Sequence, residues 1–271
     1  MNVKEIIKDA FVFPSKDIKV LLIYIVLTII AGALTFGGAI FYVIGLFNPE
    51  STLIAGFAFI AVMLIGWVTS GYLISVIKSG IDRDDKVPKF NWWENFMTGF
   101  DNFVVTIVYF LIPAFIVAVV GYATNIYGNL IVVVQGLFVQ IMNVMMGVST
   151  TVSIEPLAPA IANLVTSIAI TATVAIIVFI IFAFLETMAE ARLANTGSLS
   201  EALNVFEAAR DIRRIGIGKV IIVMLIIVII IAIINMILSI IPLLSILSII
   251  ISPYLIFFAQ RAIGLLYSDI A

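Results

Sequence analysis

The chain alternates between long apolar stretches and short segments that carry its charge. A helix that crosses the hydrocarbon core of a bilayer needs about 20 apolar residues, and each charge-free stretch is longer than that. The first, second and fourth stretches each hold one such helix, and the fifth holds two, with a turn expected at Pro242. The pattern predicts an all-α integral membrane protein. The stretches are Val20–Pro49, Ser51–Ile77, Asn102–Ile154, Pro156–Leu185 and Val220–Gln260.

The third stretch leaves the number of spans open, because Asn129–Val148 is apolar as well as residues 103–122. Positive charge favours one alternative, since cytoplasmic loops collect Lys and Arg. With six spans and the N-terminus inside, all 14 basic residues lie at the inner face. If Asn129–Val148 also crossed, the basic cluster Arg192–Lys219 would lie outside. We therefore expect Asn129–Val148 to be a re-entrant or surface-lying outer segment.

The expected organisation is a single membrane domain over residues 1–271, with six transmembrane helices arranged as three hairpins. Each hairpin is preceded by an inner-face segment whose apolar residues recur at helical spacing. The predicted helices cover 20–46, 52–77, 103–122, 160–188, 220–241 and 243–265. The other segments are an inner amphipathic segment (1–19), an inner loop with an interfacial helix (78–102), an outer re-entrant or lid segment (123–159) and an inner loop with an amphipathic helix (189–219).

Local signals refine two of the inner segments. Trp92 and Trp93 are predicted interfacial anchors, because amphipathic aromatic rings favour the headgroup level. In the last inner loop, Gly197 is expected to end the preceding helix, and Ser198–Glu201 predicts a capping box at the start of the next. That helix, expected over Leu199–Ile215, has apolar residues at helical spacing, which is typical of a segment in the headgroup plane: Leu199, Ala202, Leu203, Phe206 and Ala209.

Three motifs resemble a known family of membrane proteins. They are Phe13–Asp17 (FPSKD) before the first span, Val87–Trp93 (VPKFNWW) in the first inner loop, and the closing helix pair after Arg213–Gly216 (RRIG). Together they resemble the uncharacterised archaeal and bacterial family called domain of unknown function 4013. The resemblance covers most of the chain, although Ala123–Ala160 is longer than expected for the family. It implies an archaeal cell membrane, and it implies no activity and no site residue.

Composition removes most classes of chemistry. The chain is 63% hydrophobic and 11% charged, whereas a soluble domain is about 45–50% apolar and about 25% charged. The formal net charge is -2, so we expect no nucleic-acid partner. There is no His and no Cys, which excludes disulfides, thiolate metal sites, Cys nucleophiles and His-based acid–base catalysis. We therefore expect no enzymatic activity, no catalytic or metal-binding residue and no cofactor.

Glu186 and Glu190 are candidate carboxylates at the inner mouth of the fourth predicted helix. They are one helical turn apart and share a helix face. One interpretation is a cation site or a proton acceptor. The other is structural, with Glu190 solvated and Glu186 paired to a base such as Lys78 or Arg261. Ion-coupled transport is not expected, because no ionisable residue lies deeper within the predicted spans.

Small and polar residues recur every four positions on two predicted helices. They form a candidate packing stripe, because such residues let membrane helices approach closely and hydrogen-bond across the contact. The alternative is a conduction path lined by the same residues. The stripe comprises Asn163, Ser167 and Thr171 on the fourth predicted helix and Gly71 and Ser75 on the second.

A basic cluster beside the last amphipathic segment supplies candidate contacts for lipid headgroups, namely Arg210, Arg213, Arg214 and Lys219. Each base near an anionic leaflet is worth about 1 kcal/mol. The favoured hypothesis is a non-enzymatic, multi-pass protein of the cell membrane, with both termini cytoplasmic, that organises lipid or partner proteins at the inner leaflet. The alternative is a permease or channel subunit for a small or apolar solute. Membrane lipids are the expected partners, and a homo-oligomer or a larger membrane complex stays open.

Overall fold

The computed structural model describes residues 1–149, 151–240, 244 and 246–271. Across these residues the chain is all-helical and contains no strand. The turn expected at Pro242 lies outside the described residues. Short 3-10 turns cover Phe13–Lys16 and Glu155–Leu157. The helices are α1 (Val3–Val12), α2 (Ile18–Gly45), α3 (Pro49–Ile81), α4 (Trp92–Ala123), α5 (Ile126–Met145), α6 (Ala158–Thr196), α7 (Leu199–Ala202), α8 (Val205–Ile215), α9 (Ile217–Ile240) and α10 (Ser248–Tyr267).

Seven of the described helices are long and apolar enough to cross a membrane: α2, α3, α4, α5, α6, α9 and α10. The chain is therefore a multi-pass membrane protein, as the sequence predicts. Six of these helices correspond to the predicted spans. The seventh is α5, which occupies the segment expected to be re-entrant or surface-lying. Because α5 is a continuous helix, its backbone groups hydrogen-bond within the helix. The segment therefore does not contain the irregular backbone of a re-entrant loop.

Helix α4 is longer than predicted. The expected interfacial helix and the third span form one continuous helix, Trp92–Ala123, which contains Pro113. Asp101 and Asn102, at the expected boundary, lack the backbone restriction of proline and do not end the helix. The 32 residues of α4 extend about 48 Å at about 1.5 Å per residue. That length exceeds the hydrocarbon core of roughly 30 Å, so α4 reaches beyond the core unless it is strongly tilted.

The last inner loop contains two helices where one was predicted. The chain turns at Leu203 and Asn204, and the Asn204 side chain caps α8 by accepting a 3.2 Å hydrogen bond from the Glu207 N–H. This break separates Phe206 from the apolar residues of α7. The expected continuous apolar face from Leu199 to Ala209 is therefore wrong, because the Asn204 cap starts a new helix with its own orientation.

Helix α7 starts at the predicted position, but the predicted capping hydrogen bonds are missing from its described residues. Ser198 is the N-cap residue, but its side chain forms no cap hydrogen bond with the described backbone. The predicted capping box does not form, because the Glu201 carboxylate instead accepts a 2.6 Å hydrogen bond from Arg192. Gly197 ends α6 as predicted, with a φ of +63° that favours glycine.

The chain forms two compact units. The first comprises Met1–Thr106 and Leu185–Ala271, and the second comprises Ile107–Phe184. Helices α4 and α6 each contribute residues to both units. In the second unit, α5 and the 3-10 turn at Glu155–Leu157 pack together, and Leu157 fills the space beside Gly136.

Two glycine contacts set the packing of α3 in the first unit. A Cβ atom on Gly71 would overlap the Asn95 carbonyl oxygen and lie 2.6 Å from the Gly99 nitrogen of α4. A Cβ atom on Gly80 would lie 2.9 Å from the Gly264 Cα of α10. Helix backbones approach this closely only where side chains are missing. The positions of α4 and α10 on α3 therefore depend on these glycines.

Aromatic side chains fill the core beside α3. The Tyr72 ring is buried and stacks on Phe90, with 4.1 Å between the ring centroids. The Tyr72 hydroxyl donates a 3.0 Å hydrogen bond to the Pro88 carbonyl oxygen. On its other side, Tyr72 meets the rings of Tyr24 and Phe257. Part of the motif Val87–Trp93 is thus explained by the attachment of this loop to the core.

Helix α1 is amphipathic, as predicted, and it packs on α10 and α9. Ile6 and Ala10 are fully buried there. A capping box starts the helix, because the Asn2 side chain accepts from the Glu5 N–H and the Glu5 carboxylate accepts from the Asn2 N–H. The Tyr254 hydroxyl also donates a 2.5 Å hydrogen bond to a backbone carbonyl near the end of α1. The apolar side of α1 thus contributes to the protein core.

The glycine contact between α3 and α4 can be tested by Gly71→Ala. The added methyl group has no space, so the free energy of unfolding should fall by about 1–3 kcal/mol, as in other overpacked contacts. Gly56→Ala is the matched control on the same helix, because no atom lies within 4 Å of its Cβ position. Thermal unfolding in detergent measures both variants. Equal stability of the two would contradict the close contact.

Candidate functional site

The packing stripe of the fourth predicted helix contacts α5 and the end of α4 within the second unit. Ser167 accepts a 2.7 Å hydrogen bond from the Asn129 amide and donates a 2.8 Å hydrogen bond to the Thr124 carbonyl oxygen. The hydroxyl groups of Thr124 and Thr171 are 3.1 Å apart. Asn163 takes part through its carbonyl oxygen, which accepts from Ser167 at 2.9 Å. These contacts attach α5 to α6.

The other two stripe residues lie where α3 meets α4. Gly71 permits the close contact, and the Ser75 hydroxyl lies 3.4 Å from the Asn95 side-chain oxygen. Asn95 is only 2% exposed. Its amide nitrogen has no hydrogen-bond partner among the described residues. This part of α4 therefore carries buried polar groups that side-chain contacts do not fully satisfy.

A polar cluster lies about two helical turns further along α4, around Asn102. We call the carboxylate cluster the set Ser70, Asn102, Thr106, Glu186 and Glu190. The Asn102 amide nitrogen donates to the Ser70 hydroxyl at 2.8 Å and to the Glu190 carboxylate at 3.4 Å. The Thr106 hydroxyl hydrogen-bonds the Glu186 carboxylate. Helices α3, α4 and α6 thus bring together two carboxylates, an amide and two hydroxyl groups.

The two carboxylates of this cluster have no counter-charge in the described chain. No Lys or Arg of the described residues lies within ion-pair distance of Glu186 or Glu190. Arg261, one of the bases expected to pair with Glu186, is bound elsewhere, and Lys78 is exposed. Like charges one turn apart on a helix repel each other. The cluster therefore carries unbalanced negative charge when both groups are ionised.

Arg261 is buried at the junction of four segments. It is 1% exposed and donates to Asp9 at 3.0 Å. The same guanidinium donates to the carbonyl oxygens of Ser79 and Asp84, both at 2.7 Å, and lies 4.4 Å from the Phe13 ring centroid. It therefore ties α1, the end of α3 and the following loop to α10.

A second buried arginine, Arg192, holds α8 in place within the first unit. Arg192 donates to Asp211 at 2.7 Å, and the Tyr267 hydroxyl donates to the same carboxylate oxygen at 2.9 Å. Asp211 is 1% exposed. Glu201 binds the outer edge of Arg192 and is itself half-exposed. Asp211, on the inward side of α8, is thus bound by Arg192 of α6 and by Tyr267 of α10.

Asp269 joins three further segments. It pairs with the amino group of Met1 at 3.0 Å, with Arg83 at 3.8 Å and with Lys219. Partial burial opposes the charge on Asp269, but hydrogen bonds from Lys219 and the amino terminus outweigh it and lower the pKa of this carboxyl. A lowered carboxyl pKa keeps the group ionised at neutral pH. Its contribution to stability is present above the ordinary Asp pKa and is lost only on acidification below it.

The four candidate headgroup contacts differ in their surroundings. Lys219 pairs with Asp269, and Arg214 lies 3.3 Å from Asp211. Arg210 pairs with Glu207 on the surface, and Arg213 is exposed. Phe206 shares the helix face of Arg210 and Arg213 and is 83% exposed. We call Phe206, Arg210 and Arg213 the outer face of α8. Arg214 and Lys219 instead belong to the network that holds the helices together.

The predicted interfacial anchors lie at the start of α4. Trp92 and Trp93 are both exposed, at 55% and 69%. The Trp93 ring stacks on Phe96, with 5.9 Å between centroids. Trp67, in contrast, packs against Phe96 and Phe100. Trp92 and Trp93 are therefore free to meet a membrane interface, and no described contact contradicts their predicted role.

Residues 53–243 match the family described as "Protein of unknown function (DUF4013)". The chain belongs to this family. The match confirms the resemblance drawn from the sequence motifs. No curated protein and no solved structure matches the chain. In this DUF4013 protein the matched range contains the carboxylate cluster and the outer face of α8, whereas α1 and α10 lie outside it.

Sequence reasoning missed the α4 and α3 members of the carboxylate cluster. Asn95, Asn102 and Thr106 are seven and four residues apart, so they share one face of a continuous helix. That spacing could have predicted a polar face on α4. A separate interfacial helix that ends at Asn102, as the sequence predicts, has no fixed orientation relative to the following span, so it implies no shared face for Asn95 and Thr106.

The buried pair of Arg192 and Asp211 can be tested by Asp211→Asn. The substitution keeps the shape of the side chain but leaves the Arg192 charge buried without its main partner. The free energy of unfolding should fall by about 3–5 kcal/mol, the usual cost of breaking a buried ion pair. Thermal unfolding in detergent provides the measurement.

Glu201→Gln is the matched control for this variant. It removes a carboxylate from the same arginine, but Glu201 is 51% exposed, so the loss should stay below about 1 kcal/mol. If Glu201→Gln destabilised the protein as much as Asp211→Asn does, the assignment of Asp211 as the anchor of α8 would be wrong.

Proposed function

We propose that this DUF4013 protein is a non-enzymatic membrane protein that organises anionic lipid at one membrane face through the outer face of α8. The observation that carries the proposal is Phe206. It is 83% exposed on a short helix outside the long apolar helices, beside Arg210 and Arg213. An apolar ring flanked by cationic side chains is typical of helices that lie at a lipid interface. The ring enters the acyl boundary, and the guanidinium groups bind phosphate.

The attachment of α8 supports this role. Asp211 and Ala208 are buried on its inward side, so the outer face is presented by a helix that cannot rotate freely. Arg210 keeps a 57% exposed side chain beside Glu207, and Arg213 is exposed. Each arginine near an anionic leaflet contributes about 1 kcal/mol. Trp92 and Trp93, at the start of α4, add aromatic groups suited to the headgroup level.

The absence of enzymatic activity is part of the proposal. The sequence has no His and no Cys, which removes the usual general bases and thiol nucleophiles. An acidic partner protein is the alternative occupant of the outer face of α8. A permease or channel subunit is the second candidate function, and the unbalanced carboxylate cluster favours it.

We further propose six membrane crossings, with α5 as the helix that does not cross. Asp269 lies within ion-pair distance of both Arg83 and Lys219, so these two residues should lie at the same membrane face. Between them the chain contains α4, α5 and α6 as the helices long enough to cross. Returning to the same face requires an even number of crossings. Of the three, α5 is the shortest and the least apolar. The positive-inside rule makes this face cytoplasmic, together with both termini.

The number of crossings can be tested by cysteine labelling, because the chain has no native Cys. Lys86→Cys, Thr151→Cys and Ser200→Cys place one thiol in each of three exposed segments. A membrane-impermeant maleimide applied to intact cells should label Thr151→Cys alone. Lys86→Cys and Ser200→Cys should react only after the membrane is opened. Opposite accessibility of Lys86→Cys and Ser200→Cys would mean that α5 crosses as well.

The lipid proposal can be tested with two variants. One is the double variant Arg210→Gln and Arg213→Gln, and the other is the single variant Phe206→Ala. Native mass spectrometry should show wild type retaining more phosphatidylglycerol than phosphatidylcholine from mixed nanodiscs. Losing two interfacial arginines should remove about 2 kcal/mol, or roughly thirtyfold in affinity. Phe206→Ala should weaken both lipids. Lys86→Gln with Lys89→Gln is the control, since it removes equal charge from another exposed segment.

The control decides between lipid binding at α8 and general charge attraction. An equal loss of phosphatidylglycerol in the lysine variant would refute a specific role of α8. Unchanged lipid retention in the arginine variant would leave an acidic partner protein as the occupant, and the lipid function would then be wrong.

A further inference from the structure

The carboxylate cluster contains a buried oxygen atom without a donor. Asn102 is 7% exposed, and its side-chain oxygen has no hydrogen-bond partner among the described residues. The amide nitrogen of the same group donates to Ser70 and Glu190. The amide group that carries the unpaired oxygen is thus held in the cluster by the hydrogen bonds that its nitrogen donates to Ser70 and Glu190. Buried carbonyl oxygens in proteins almost always meet a donor or a cation.

The charge of the cluster also indicates that a positively charged ligand binds beside the unpaired oxygen. Glu186 and Glu190 share one face of α6, and they accept hydrogen bonds from the neutral side chains of Thr106 and Asn102. Neutral donors do not compensate two carboxylate charges. Two carboxylates that are partly removed from water and lack a counter-charge are costly, so binding a positive species is favourable when both groups are ionised. One added cation would satisfy the carboxylates and the unpaired amide oxygen together.

We propose that the carboxylate cluster binds a divalent metal cation, with Glu186, Glu190 and the Asn102 side-chain oxygen as protein ligands. Carboxylate, amide and hydroxyl oxygens are the donors that Ca²⁺ and Mg²⁺ prefer. The cluster has no sulfur or imidazole donor, which Zn²⁺ and Cu²⁺ would favour. Two carboxylates match a charge of two, whereas Na⁺ would leave one negative charge over. Water completes the coordination shell, because Glu186 and Glu190 are only partly buried.

The glycine contact explains why this site exists only in the folded protein. Asn102 and Ser70 belong to α4 and α3, which approach each other at Gly71 and Gly99. Glu186 and Glu190 come from α6, far along the chain. A cation bound by α4 and α6 therefore stabilises the folded state selectively. The proposal uses none of the residues of the outer face of α8. Its test is therefore independent of the test of the lipid function.

The experiment uses the full-length protein, stripped with a chelator and exchanged into choline buffer of constant ionic strength at pH 7.5. Ca²⁺ or Mg²⁺ should raise the temperature of unfolding saturably, and equilibrium dialysis should give one ion per chain. Na⁺ at the same ionic strength should have a smaller effect. Wild-type protein that shows no saturable binding of either divalent ion would overturn the proposal, whatever the variants do.

Variants then assign the ligands. Glu190→Gln and Asn102→Leu should each weaken binding by at least the roughly tenfold expected when a group supporting a metal site is removed. Asn102→Asp should strengthen it, because it adds a third carboxylate. Glu50→Gln is the matched control, since Glu50 is an exposed carboxylate at the other end of α3. Equal binding by Glu190→Gln and Glu50→Gln would refute the site.

The same measurements separate a metal ion from a proton. A proton on Glu190 could also balance the charge and donate to the Asn102 oxygen. In that case the unfolding temperature of wild type would depend on pH more strongly than that of Glu190→Gln, and it would not respond to Ca²⁺ or Mg²⁺. That result would replace the cation site with a protonated carboxyl.

Discussion

The close approach of α3 to two other helices is the constraint on which the first unit depends. Gly71 lets α4 come close enough for the Asn102 amide to reach Ser70, and Gly80 lets α10 come close enough for Arg261 to donate to the Ser79 carbonyl oxygen. In a bilayer, apolar surface alone does not favour one helix contact over another, because lipid tails are equally apolar. Close backbone packing and the hydrogen bonds it permits therefore supply the specificity that the many Ile, Val and Leu side chains cannot.

Charged side chains have two distinct uses in this chain. Arg192 and Arg261 are buried in ion pairs and hydrogen bonds that join segments distant in sequence, whereas Arg213 remains exposed. The basic residues that favour a cytoplasmic location thus also include those that hold the loops and termini together. Glu186 and Glu190 differ from both groups, because they are carboxylates without a basic partner in the described structure. Structural charges come in balanced pairs, and the unbalanced ones are candidates for binding.

The apolar stretches predict nearly every long helix, because length and the absence of charge suffice for that inference. Gly197 also predicts its helix end, since a positive φ is a local property. The continuous α4 could not be predicted, because Asp101 and Asn102 suggest a boundary but lack the geometry to impose one. The partners of Glu186 and Arg261 depend on which helices meet, and no local pattern contains that information. The division of the last amphipathic segment into α7 and α8 is a further difference, because the Asn204 cap starts a new helix there.

The environment of Arg261 also has a consequence for biogenesis. Its acceptors, Asp9 and the carbonyl oxygens of Ser79 and Asp84, all emerge from the ribosome long before the arginine itself. Chains are synthesised from the N-terminus, and early segments must wait for late partners. The amphipathic first helix cannot bury Ile6 and Ala10 against the last helix until translation is nearly complete. Until then, a membrane interface is an apolar surface that suits the amphipathic character of α1.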